Sequence, residues 1–369
     1  MAETLLTHAP GTVQIAPGRS RSGDCQFSVI VKRSYRIVPG QPAQRLEQDA
    51  PLRLIDEYYD RGDPDWSVVE HESELAPFKA STDVVVIGRA HAPGAEPVLA
   101  MLVGVRVGDV VKVLRVTGDR VCHWRDDEPP VFSEPLPFLH MDVRYDRAYG
   151  GRDEKSDPKI PFFYPRNDMG RGVALRNVRE VVQGLALPNI EEPEDLLTPE
   201  RVVIGDPFRW PEQPLPQGLG WRQRTWYPRS ALLGSLPAFL EPGTVTQEER
   251  LRMLPGNHVA LARQMRLPPF EPVFHNGASI GLVMAAVKDD EMIALRGLTP
   301  DGKLDFQLPG DRPRIALDVG QGEQPLQAKL HTVSIRPDDL QIDLIWGALM
   351  NFGPYSKLGS LKRLKAHVE

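Results

Sequence analysis

Apolar and polar positions alternate with a period of two over many short stretches of this chain. In Cys25 to Ile37, CQFSVIVKRSYRI, Phe27, Val29 and Val31 fall on one side with Ser28 and Ile30 on the other, the pattern of a strand rich in branched residues. TDVVVIGRAHA (82–92), VLAMLVGVRVG (98–108), DVVKVLRVTG (109–118) and DRVCHW (119–124) read the same way, divided by APGAEP, GD and TGD. In the last divider Gly118 and Asp119 suit a tight hairpin turn, so these strands are expected to form a meander, which PFLHMDVRYDRAYGG (137–151) closes. The pattern returns in EMIALRGL (291–298), KLDFQL (303–308), RIALDV (314–319), QAKLHTVSI (327–335) and LQIDLIWG (340–347), with TPDG, PGDRP, GQGEQP and RPDD between them.

Between these halves the text turns proline-rich, charged and aromatic. The best helical candidate is TQEERLRMLPGNHVALARQMRL (246–267), where Thr246 is an N-cap, Glu249 its capping-box partner and Pro255 an interruption. The expected fold is mainly β: antiparallel sheets, sandwich-like, with long irregular connections and few short helices. We expect one domain over 10–350, because the first and last hairpins are short to bury separate cores. Its β regions, 12–151 and 291–347, are joined by an irregular, partly helical segment, 152–290, and 351–369 is a C-terminal tail.

The 36 prolines and 31 glycines among 369 residues punctuate the chain too often for long helices. With 44 basic and 50 acidic residues interspersed, no basic stripe tracks a phosphate backbone, so no nucleic-acid partner is expected. No run approaches the roughly 18 apolar residues of a membrane span, and the N-terminus lacks a secretory pattern. Two cysteines, Cys25 and Cys122, make no disulfide framework. The expected location is the cytoplasm.

Motifs for catalysis are sparse. GASIG (277–281) matches the nucleophile elbow of serine hydrolases, which would expose Ser279 and draw on Asp318 and His331 downstream, yet no parallel α/β alternation surrounds it. HESEL (71–75) has Leu75 where a zinc helix needs its second histidine, and Pro77 ends any helix there. Cys122 and His123 point to opposite faces of a strand, which reads as a buried thiol beside an edge histidine. The acidic runs EEPED and RDDEPP read as solvated loops, and GQGEQP lacks the last glycine of a dinucleotide loop. No catalytic residue, metal or cofactor is expected.

One stretch stands apart: SELAPFKASTDVVVIGRAHAP (73–93) places a proline, an aromatic, a lysine and an aspartate before a wholly apolar run. It resembles a signature of the bacterial domain of unknown function family numbered 2169. VIVKRSYRI, VRVGDVVKVLRVTGDRVCHW, MDVRYDRAYGG, RNDMGRG, LPNIEEP, WYPRSALLG, LRGLTPDGKLDFQLPGDRPRIALD and LHTVSIRPDDLQIDLIWG resemble the family in the same order, from about Val13 to Trp346. The family pattern usually has a proline where this chain has Asp168. The resemblance implies an accessory role in type VI secretion: a cytoplasmic adaptor or chaperone, not an enzyme, that binds an effector toxin and helps load it onto the VgrG and PAAR-repeat spike. Alternatives are a serine hydrolase using Ser279, or a structural component of the secretion apparatus.

Within this reading Pro77 prepares an extended chain, Phe78 anchors the loop in the core, and Lys79 and Asp83 tie it to backbone groups or to each other. Gly150, Gly151, Gly170 and Gly172 read as positive-φ turn positions. Pro188 and Asn189 belong to the same family framework. Arg152, Phe162, Phe163, Tyr164 and Arg166 supply the aromatic and arginine anchors that protein interfaces favour, with aromatics packed back onto the sheet as the plainer alternative.

Overall fold

The computed structural model describes residues 3–6, 12–19, 24–124, 130–153, 162–173, 183–202, 212–233, 272–320, 322–353 and 363–369. The helix expected over 246–267 lies outside these residues. Within them the chain is built of strands and single 3-10 turns, most strand pairs being antiparallel.

The largest sheet has the order β1 (Val13–Arg19), β2 (Cys25–Arg36), β11 (Gln341–Gly353), β10 (Lys329–Arg336), β3 (Thr82–Val86) and β7 (Val283–Met284), and Gln44–Arg45 also pairs with β2. Its spine is β2 against β11, in register from Arg36 opposite Gln341 to Phe27 opposite Met350. The parallel contact of β3 with β10 sets Asp83 opposite Thr332 and Val86 opposite Ile335. A second, five-stranded sheet has the order β6 (Ile190–Glu191), β5 (Val110–Thr117), β4 (Ala100–Val107), β8 (Met292–Arg296) and β9 (Lys303–Gln307).

Both sheets feed one hydrophobic core. Val29, Val31, Val84 and Val333 of the first sheet cluster with Val105, Leu114, Ile293 and Phe306 of the second. Each such side chain contributes roughly 1.5–3 kcal/mol when fully buried. The other face of β2 is also covered: Ile30 joins Ala16, Leu52 and Ile345 in a satellite cluster. Beside it Lys32 is fully buried, 2.8 Å from Glu74 and 3.6 Å from Asp343, whose carboxylate also takes Arg336 at 2.9 Å. Burial raises the Asp343 pKa, and Lys32, Arg336 and hydrogen bonds outweigh it, so the group lies below the usual carboxylate range.

Two expectations need correction. Gly118 and Asp119 do not form a hairpin: the two-residue turn is Gly108–Asp109, since Val107 pairs with Val110, and Val121–His123 pairs with Val131–Phe132 and Leu185–Ala186 instead. The reason is tertiary. A Cβ on Gly118 would collide with the Leu136 carbonyl, and the Asp119 carboxylate accepts bonds from Asn189 at 3.0 Å and Arg171 at 3.2 Å. The boundary at 350 is also misplaced, because β11 runs to Gly353. Arg363–Val368, expected as tail, pairs with Ile315–Asp318 and with Glu3–Leu6, and Ala366 and Val368 enter the core.

Candidate protein-interaction surface

The PFK–TD motif forms a buried polar anchor. Pro77 places its carbonyl on the Ser28 hydroxyl, and the chain bends at Ala80 and Ser81 before entering β3. Lys79 is buried, with its ammonium 2.6 Å from Asp83 and 3.0 Å from the Thr332 hydroxyl, and it lies 5.0 Å from the Trp221 ring. Phe78 is the half-buried residue, with the Lys329 ammonium 5.7 Å over its ring. This inverts the expected core role of Phe78: Asp83 and Thr332 draw the lysine inward, and the aromatic beside it stays half-buried.

Asp83 also accepts bonds from Asn276 Nδ2 (3.3 Å), the Gly277 N–H (3.2 Å) and the Ala278 N–H (3.3 Å). Arg222 holds the same turn from the other side, donating its backbone N–H to Gly277 and its Nε to Ala278. The first three residues of GASIG, Gly277 to Ser279, are therefore pinned and buried, while Ile280 and Gly281 are exposed. Ser279 is fully buried, 2.8 Å from the Tyr145 hydroxyl and donating to the Gly220 carbonyl at 3.1 Å. The exposed elbow that a serine nucleophile requires is not formed, and Asp318 accepts the N–H groups of Gly320 and Gly322 in its own turn. Glu72 of HESEL meets the buried Arg229 through both carboxylate oxygens, and no metal-binding cluster occurs among the described residues. Cys122 is buried, which pushes its thiol up to about 11, while His123 faces Gln183 at 3.1 Å.

A second knot joins the glycine motifs. Tyr149–Gly150 pairs in parallel with Arg171–Gly172. Gly150, Gly151 and Gly172 have φ of 149°, 125° and 101°. Gly170 does not share this conformation; a Cβ there would stand 2.6 Å from the Ala148 carbonyl and 2.8 Å from the Gly150 Cα, so close approach is what demands glycine. Asn189 is fully buried, donating to the Thr117 carbonyl (2.9 Å) and Asp119 (3.0 Å) and accepting from Arg171 (3.1 Å). Pro188 closes this knot, its carbonyl facing Arg120 and its ring facing Gly172.

The five anchor candidates separate. Phe162, Tyr164 and Arg166 are buried at 8%, 1% and 5% exposure, which corrects their reading as surface anchors. Phe162 and Tyr164 join Cys122, Tyr149 and Leu187 in a second hydrophobic cluster, so they pack back into the protein. Arg152 and Phe163 are partly buried, the Arg152 side chain at 14% exposure. The Arg152 guanidinium lies 4.0 Å over the Trp66 ring and 5.3 Å from the Phe163 ring. Asp168 holds it there with its carboxylate at 3.0 Å and its carbonyl at 3.2 Å, and also accepts the Trp226 indole N–H at 2.9 Å.

Trp66 is 55% exposed, at the end of the 3-10 turn Pro64–Trp66. Sequence reasoning passed over this tryptophan, set in the acidic turn DPDWS. Its one signal was a large aromatic in a segment without strand periodicity. Asp168 is the residue that fixes the stack.

Fold and surface together define a β-sheet protein with a buried ionic framework and a preformed tryptophan–arginine–phenylalanine stack whose indole is exposed. Residues 22–347 match the model of a family described as an uncharacterized protein conserved in bacteria, domain of unknown function 2169, and the chain belongs to that family. No curated protein and no solved structure matches it. No helix among the described residues is long and apolar enough to cross a membrane.

Proposed function

We propose that this protein is a non-enzymatic adaptor that binds a type VI secretion effector in the cytoplasm and promotes its loading onto the VgrG/PAAR spike. The observation that carries the binding role is the Trp66–Arg152–Phe163 stack, in which an exposed indole is held by an arginine that Asp168 fixes in turn. Tryptophan and arginine are the side chains that most often dominate interface energies, and an anchor already ordered before binding loses little conformational entropy. The secretion role itself rests on the family resemblance. The hydrolase reading draws no support from a Ser279 that solvent does not reach.

The test is purification of the tagged protein from its native bacterium through size exclusion, with the secreted fraction probed in parallel. An effector or spike subunit bound in the cell extract, with its export lost on deletion of this gene, is the expected result. A lone protein whose deletion leaves effector export unchanged contradicts the proposal. Appearance of the protein itself in the secreted fraction identifies a shipped structural component instead.

A further inference from the structure

Among the described residues, the edges of the two large sheets are closed in different ways, with one exception. The outer strand β9 is covered by residues 40–43: Gly40 and Ala43 donate to the Asp305 and Gln307 carbonyls at 2.7 and 2.9 Å, and Gln307 donates to Gln41 at 3.1 Å. At the edges of the seven-stranded sheet, β1 carries Pro17 and Gly18, and β7 is two residues long. The exception is β5. Its outer neighbour β6 pairs only with Arg115 and Val116, and the chain then turns away through Pro193, where Glu192 bridges Asp195.

From Val110 to Leu114 that lane has no strand beside it among the described residues. Hairpin parity gives the direction of the backbone groups. Val107 and Val110 flank the two-residue turn and bond to each other, so Val110, Lys112 and Leu114 face β4, and Val111 and Val113 turn their N–H and C=O outward. Thr117, of the same parity, donates its N–H outward to Asn189 at 2.8 Å, as this requires. The side chains of Val111 and Val113 are 60% and 36% exposed, on the outer face that also carries Leu102.

We infer that β5 accepts an extended strand of a partner polypeptide along Val110–Leu114, in line with β6. This goes beyond the tryptophan stack by naming a second contact and its mode, and rests on the adaptor reading only for the identity of the client. The guest is a strand with β-branched residues against Val111 and Val113 and carboxylates among its side chains. Arg106, directly opposite Val111, and Arg115, two residues beyond Val113, share the outer face and form no ion pair among the described residues; Arg106 bonds the Gly108 carbonyl and Arg115 the Thr117 hydroxyl. An inward charge on an edge strand usually blocks such pairing. Here Lys112 is already buried with its ammonium on the Ile280 carbonyl at 2.6 Å, so an added strand removes little further water from it. A second copy of this chain fits worse, because the two-fold register that pairs Val111 with Val113 sets Lys112 against Lys112.

The test uses the intact protein and an acetylated, amidated octapeptide with two valines flanked by glutamates on one face and serines on the other, so that valine and carboxylate meet the face of Val111, Val113, Arg106 and Arg115 together. Saturable binding is expected, with slowed exchange of the Val111 and Val113 amides in the wild type. Val113→Pro, which removes an outward N–H and leaves the bonds to β4, weakens binding at least tenfold. No binding, or protection confined to other segments, overturns the inference, and the exchange readout decides even should the proline variant not fold. A peptide-free dimer that Val113→Pro dissociates also overturns it, in favour of self-pairing. Effector capture in parallel keeps the readings apart: loss of peptide binding with effector capture intact refutes the strand site alone, and peptide binding without effector capture refutes the adaptor role alone.

Discussion

At Asp83 one fully buried carboxylate serves four donors: the Lys79 ammonium, the Asn276 amide and the N–H groups of Gly277 and Ala278. Removing it leaves a buried cation and three unmet donors, where each orphaned group carries its full desolvation cost. Asp83→Ala is therefore expected to lower stability by about 3–5 kcal/mol in urea unfolding. Lys79→Met combined with Asp83→Leu removes both charges and should cost clearly less than Asp83→Ala alone; an equal or larger loss would show that the ion pair is not the reason for the single-variant effect. The spacing of Lys79 and Asp83 was legible in the sequence as a tie, but its partners at 276–278 were not, since nearly 200 residues separate them. Trp66 was illegible for a related reason. Nothing in DPDWS indicates that Arg152, which follows the whole first β region, returns to cover the indole.

The strands themselves were the legible part, because alternation is a local property. Met292–Arg296, Lys303–Gln307 and Lys329–Arg336 form where the period predicts them. Partnerships between strands are not local, and the meander failed for that reason: β4 takes β8 as its second neighbour, from the far half of the chain. Arg363–Val368 carries the same signal, polar at Arg363, Lys365 and His367 and apolar at Leu364, Ala366 and Val368, so this strand was legible and its reading as tail overlooked it. Close packing between strands yields a sharp prediction at Gly347, in β11 opposite Lys329. A Cβ there would overlap the ring of the buried His331. Gly347→Ala should cost about 1–3 kcal/mol, the usual range for overpacking a filled core. Thermal unfolding checks it, and an unchanged midpoint would mean that the ring moves aside freely.

For the whole molecule, buried histidines link stability to pH. Burial, then the charges of Lys79, Lys329 and His275, holds the His331 pKa down at about 3, from an ordinary value of 6.5. His71 is likewise held at about 3, by burial and then by Arg53. Between pH 6.5 and 3 the unfolded chain binds these protons and the folded protein does not, so stability falls as pH drops below about 6.5 and the loss levels off near 3. One fully titrating histidine contributes about 1.4 kcal/mol per pH unit within that window. Urea midpoints at pH 7.5, 6.5 and 5.5 should fall in that order, with a shallower dependence in His331→Gln; an identical slope would remove His331 from the account.

The central claim, that this fold presents a preformed anchor to a protein client, is tested most directly by capture with Trp66→Ala and Arg152→Ala beside the wild type in the native bacterium. Truncating an anchor of this kind costs 2 kcal/mol or more, about thirtyfold in affinity. Both variants should lose the client at matched concentration of folded protein, while Trp66→Ala, the exposed substitution, keeps its unfolding free energy within about 1 kcal/mol of wild type. Undiminished capture by both variants would contradict it.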